Sequence, residues 1–182
     1  STGEDSATAV VVGEVAVNSS DLFVAGHFSG SVDFGGGPLV SAGSTDAFVT
    51  RMNFAGVHSW SGRLGGPQGD SATVLVTEST GVWVGGEFRA TADFDPGAAT
   101  ANRTSNGLRD TYVTKLRLAD GGFLSAFAFG TGDEDFIRGL ATDGRSVIAA
   151  GQFRGPLALG TFPLPSAGSA TFFDAVVVPL AL

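Results

Sequence analysis

Aspartate carries most of the chemistry this 182-residue chain has to offer. Asp133-Glu134-Asp135 and Asp93-x-Asp95 cluster carboxylate oxygens of the kind that calcium, a hard cation, prefers. Neither segment matches the twelve-residue calcium loop or the Gly-Gly-x-Gly-x-Asp repeat. Asp at a fixed point before a strand has a plainer use: it accepts a backbone N–H and sets the turn. We favour that use, and calcium is the one cofactor the pattern admits. His27 and His58 are the only histidines, and no serine lies in a Gly-x-Ser-x-Gly elbow. There is no Gly-x-x-x-x-Gly-Lys phosphate loop and no cysteine. Paired carboxylates are expected by chance among 18 acidic residues. No catalytic, cofactor or metal residue is therefore assigned, and the chain reads as no enzyme.

Repetition says more. Gly26-His27-Phe28, Gly86-Glu87-Phe88 and Gly151-Gln152-Phe153 share one frame. Asp46-Ala47-Phe48-Val49, Asp110-Thr111-Tyr112-Val113 and Asp174-Ala175-Val176-Val177 share a second, and Asp5, Asp70 and Asp135 head a third. The period is about 65 residues, the mark of one supersecondary unit copied in tandem and too small to bury its own apolar face. Identical positions build such a scaffold, and differing polar positions are where a specific surface is written. On that argument His27, Glu87, Gln152, Arg89 and Arg154 are the candidates for a ligand or partner surface. Trp83 joins them as a platform on which a sugar could stack. Against that, large rings on alternating strand positions, Trp60 and Trp83 included, more often belong to the core.

The elements that must hold these residues are strands. Apolar runs are short, β-branched or aromatic, and bounded by Gly, Asp, Asn or Ser, with no sustained helical period. Copy two predicts four antiparallel strands: Ala72 to Thr77, Val82 to Phe88, Thr111 to Leu116 and Leu124 to Phe129. Copy one matches with Ala7 to Val12, Leu22 to Phe28, Ala47 to Asn53 and His58 to Leu64. Copy three supplies three: Phe136 to Thr142, Ser146 to Phe153 and Phe173 to Leu180. The expectation is an all-β chain of β-propeller blades, each a four-stranded antiparallel sheet, the last lacking one strand. A single domain spans 1–182, with repeats at about 1–66, 67–131 and 132–182. The first hairpin carries about five extra residues, and an insertion of about four falls within Ala98 to Leu108.

Composition bounds the partners. The net charge of −8 and ten scattered basic residues argue against nucleic acid. No stretch reaches 18 uninterrupted apolar residues, so no transmembrane segment is expected. With 28 Gly and 15 Phe, the chain suits tight turns and rigid packing at repeated positions. The start at Ser1 reads as a piece of something longer.

The segment Phe28-Ser29-Gly30-Ser31-Val32-Asp33-Phe34-Gly35-Gly36-Gly37, continuing to Asp46-Ala47-Phe48-Val49, resembles the bacterial β-propeller repeat of the SBBP type. The Gly56…Trp60…Leu64-Gly65-Gly66 tail fits it, as do Thr91 to Gly97 and Gly130 to Asp135. Copy three departs from it, with Ala158-Leu159 in place of Asp-Phe, and Ser125 stands in place of Trp60. The resemblance implies an extracellular or cell-surface bacterial location and no activity. It points to a structural, protein–protein interaction module of an adhesin-like or appendage-like assembly. A glycan-binding propeller is the alternative, and a polysaccharide hydrolase or lyase comes third. Since three blades fall short of the four to eight of closed propellers, the partners expected are protein chains. Either a second copy completes an oligomer or neighbouring repeats of a longer protein do so.

Overall fold

The computed structural model describes residues 3–16, 19–144, 146–154, 156–159, 162–164 and 174–180. The fold is all-β, with several antiparallel sheets and no helix among the described residues. Nor is any helix there long and apolar enough to cross a membrane. In chain order the strands are β1 (Asp5–Ala16), β2 (Ser19–Phe28), β3 (Ser31–Asp33), β4 (Pro38–Val40), β5 (Asp46–Met52) and β6 (His58–Leu64). The second copy gives β7 (Ser71–Glu78), β8 (Gly81–Phe88), β9 (Thr91–Asp93), β10 (Asn102–Thr104), β11 (Asp110–Arg117) and β12 (Phe123–Phe129). The third gives β13 (Phe136–Thr142), β14 (Val147–Phe153), β15 (Leu157–Leu159), β16 (Phe162–Leu164) and β17 (Asp174–Leu180).

Three main sheets result: sheet I with order β1-β2-β5-β6, sheet II with β7-β8-β11-β12, and sheet III with β13-β14-β17. The eleven strands expected from alternation are these eleven, except that Phe173 lies outside the described residues. Six further strands, in the hairpins β3–β4, β9–β10 and β15–β16, occupy what the sequence reads as loop. At three residues each they are too short for period-two alternation to be seen. An Asp-Phe pair at the end of the first strand explains two of these hairpins. Asp33 Oδ1 accepts N–H bonds from Gly35 (2.7 Å) and Gly37 (3.1 Å), and Asp93 Oδ1 accepts from Asp95 (3.0 Å) and Ala101 (2.8 Å). Phe34 then packs on Phe48, and Phe94 stacks on Tyr112 at 4.3 Å. The four-residue insertion falls between β9 and β10, over 94–101, earlier than Ala98 to Leu108. The extra residues of the first hairpin lengthen β1 and β2 themselves.

The sheets pack face against face, and each uses the same two faces. Strand side chains alternate between faces. A bulge at Thr8, Thr73 and Arg138 keeps the three inner strands in equivalent register. Phe23, Ala25 and Val11 of sheet I meet Leu75, Val82 and Val84 of sheet II in one cluster. Trp83, Val74 and Val76 of sheet II meet Leu140, Val147 and Ala149 of sheet III in another. The aromatic at the Phe23/Trp83 position thus always points to the following sheet, and the aliphatics beside it to the preceding one. Trp60 closes the first junction, its Nε1–H donating to Leu118 O at 2.9 Å. Arg51 bridges the same junction, bound to Asp21 on its own sheet and to Leu118 O on the next. Every residue of β8 is buried, because sheet II alone is covered on both sides.

Candidate functional site

Both junctions between sheets are ended by the same arrangement of aspartates. Asp46, Asp70, Asp110 and Asp135 each accept a backbone N–H from the residue four places earlier: Ala42, Gly66 (2.6 Å), Asn106 (2.8 Å) and Thr131 (2.6 Å). The turn role expected of aspartate is therefore present four times. Asp70 and Asp135 also accept from the backbone of Arg89 (3.1 Å) and Arg154 (3.2 Å). What binds the two frames together is a short parallel bridge, Thr45 to Gly69 at the first junction and Arg109 to Glu134 at the second. It sets Asp46 beside Asp70. A Cβ on Gly65, whose φ is +148°, would meet Asp46 Oδ1 at 2.3 Å and Asp70 Oδ2 at 2.7 Å. At Gly130 a Cβ would meet the Asp110 carboxyl carbon at 2.2 Å. Only a missing side chain lets these buried carboxyls sit there.

Burial dominates their electrostatics. Desolvation pushes Asp70 up to about 7, against its two backbone N–H bonds, with the Asp46 charge adding to the rise. It pushes Asp110 up to about 6, reinforced by the Asp135 charge. Asp46 and Asp135 are raised for the same reason, although Arg63 at 3.5 Å opposes the rise at Asp46. Oδ1 of Asp46 and of Asp110 is buried with no hydrogen-bond partner. The carboxyl form suits these sites better than the carboxylate.

Above the first pair lies an open polar cleft of about 230 Å³, lined by His27, Asp70, Ser71, Glu87, Arg89 and Arg109 among others. Three of the candidates chosen from the repeat, His27, Glu87 and Arg89, thus come together. Glu87 is buried and raised by desolvation, held by Ser71 Oγ at 3.2 Å and facing Arg138 at 3.9 Å. Arg89 and Arg109 converge on Glu134, at 3.0 and 3.9 Å. Arg109 and Ser71 belong to this cleft yet do not stand out in the sequence. Arg109 occupies the place of Thr45 one copy on, so only an alignment of the copies singles it out.

The remaining candidates lie elsewhere. Gln152 and Arg154 sit at the equivalent end of the second junction, where Phe136 takes the place of Ser71. Arg109 and Arg138 lie over that ring at 5.5 and 4.7 Å. Trp83 is 1% exposed, in the core between sheets II and III, with Lys115 Nζ 5.1 Å from its ring centre. It offers no face to a sugar. Of the residues weighed for calcium, Asp93, Asp95 and Asp135 cap turns and Glu134 pairs with arginine. No group of three or more potential metal ligands converges among the described residues.

No protein-family profile matches the chain. Over 126 residues it is 34% identical to a protein named regulatory protein FlaEY from Caulobacter vibrioides, a match covering 67% of this chain. The chain spans only 13% of the length of that relative, so the similarity is to one segment of a much longer protein.

Proposed function

We propose that the chain is a run of propeller-type blades of the SBBP kind, with repeats at about 1–66, 67–131 and 132–182. It acts as a non-catalytic interaction scaffold in a bacterial surface or extracellular assembly. The observation that carries this is the directional packing of three like sheets, in which no further sheet lies on the outer faces of sheets I and III among the described residues. Val10 and Val12, on the outer side of sheet I, are 66% and 52% exposed, and Ile148 on sheet III is 43% exposed. Apolar residues gathered on an open sheet face mark an interaction surface. Similarity to a short part of a long protein agrees with a module that works within a larger body. The test is made in the bacterium that encodes the chain. External protease should digest it on intact cells, and Val10→Lys with Val12→Lys should release it from the surface assembly while its circular dichroism stays unchanged. Protection from protease, or unaltered incorporation of the variant, would contradict the reading.

A second reading, binding of a small hydroxylated ligand such as a sugar, is favoured by the 230 Å³ cleft with its mixed donors and acceptors. Arg109→Ala is the informative variant. Calorimetric binding of one sugar from a broad panel, lost in that variant, would support it; no heat across the panel would count against it.

A further inference from the structure

We propose that a second copy of this chain docks head to tail, the open face of sheet III in one copy covering the open face of sheet I in the other. The inference rests on the reading of the chain as an interaction scaffold and names the partner.

The two junctions inside the chain supply the rule. At the first, Phe23, Ala25 and Val11 lie on Leu75, Val82 and Val84. At the second, Trp83, Val74 and Val76 lie on Leu140, Val147 and Ala149. Register pairing gives the equivalent set on the outer face of sheet III: Ile148 pairs with Ala141, as Trp83 does with Val76 and Phe23 with Val11. On the outer face of sheet I the receiving set is Val10, Val12, Leu22 and Val24, since Val10 pairs with Val24 and Val12 with Leu22. These positions match Leu75, Thr77, Val82 and Val84, on the face of sheet II that receives Phe23. The three described sheets therefore present one donor face and one acceptor face of an interface formed twice between them. A contact between unlike faces is heterologous, and it closes into a ring or runs on as a filament.

Area decides between these forms. Sheet III has three strands, so each contact covers about three strands, about 4.8 Å apart and about seven residues long, or roughly 330 Å² per partner. One such contact buries roughly 660 Å² in total, below the roughly 1,200 Å² at the low end of stable interfaces, whereas two together bury roughly 1,300 Å². Two copies that each cover the other's open face gain both contacts, with six sheets in the ring. Ring closure at that number lies within the four to eight blades of known propellers.

Sedimentation equilibrium of the whole 182-residue chain tests this with two surface variants. Val10→Lys with Val12→Lys blocks the acceptor face, and Ile148→Lys blocks the donor face. Each variant alone should weaken self-association by at least about ten-fold, since a lysine stranded in an apolar contact costs more than the matching free energy. Both variants should weaken it, because each contact of the ring uses one donor face and one acceptor face. Unchanged circular dichroism shows that the variants fold, and the unaltered chain provides an independent check by its own mass. A dimer weakened by only one of the two variants means that like faces meet, and overturns the proposal. A chain that stays monomeric across the micromolar range also overturns it. If the surface assembly still depends on Val10 and Val12, that monomer leaves the scaffold reading standing, with the faces covered by another chain or by further repeats.

Discussion

At the scale of single residues, two positions show how closely the backbone is tied to the repeat. Gly30 follows β2 with a φ of +68°, and Ala90, its equivalent after β8, has a φ of +54°. A side chain in that left-handed region costs about 1–2 kcal/mol. Ala90→Gly is therefore expected to stabilise the protein by about 1 kcal/mol, measured by urea denaturation, and a loss of stability would show the strain to be absent. Trp83 gives the opposite case. It fills the junction between sheets II and III, so Trp83→Ala should cost about 3–5 kcal/mol of stability. It should leave any sugar binding by the cleft in place. Both tryptophans look alike in the sequence as core or platform, and only their placement between sheets decides for core.

The buried carboxyls belong to the scale of the strands they begin. The folded values of Asp70, about 7, and Asp110, about 6, stand above the unfolded value of 3.8. Between about 4 and 7 the native state therefore holds more protons than the unfolded chain, and stability falls as pH rises through that window. Above about 7 the contribution is gone and the curve flattens. Glu78 shifts the other way. Hydrogen bonds and the charge of Lys115, 2.6 Å away, outweigh its desolvation and lower it, so its contribution is lost as pH falls below the usual carboxylate range. Urea midpoints taken from pH 4 to pH 8 should decline, and Asp70→Asn should remove the largest part of the slope; an unchanged slope would show that Asp70 is ionised throughout. At the same scale, the amides of β8 should exchange with deuterium most slowly, since that strand is buried along its whole length. How far these elements are legible in the sequence follows from their length. Strands of seven residues or more show their alternation, whereas β3 and β9 give only the Asp-Phe pair that caps them. The aspartate frames are plain to see. Their meeting is not, because it depends on the bridges from Thr45 to Gly69 and from Arg109 to Glu134, between segments that share no local pattern. Arg109 stays hidden for the same reason.

For the whole molecule, the repeat announces that each sheet is incomplete alone but is silent on which face turns to which neighbour. A one-residue change of register would exchange the two faces, and the common bulge at Thr8, Thr73 and Arg138 is what keeps them in step. With the direction established, the open ends become specific: an acceptor face around Val10 and Val12 and a donor face around Ile148. Our account holds that these ends meet between copies. Light scattering on the purified chain over a range of concentrations tests this most directly. The account predicts a mass of twice 18.3 kDa that falls toward 18.3 kDa only on dilution. A mass of 18.3 kDa at every concentration would contradict it.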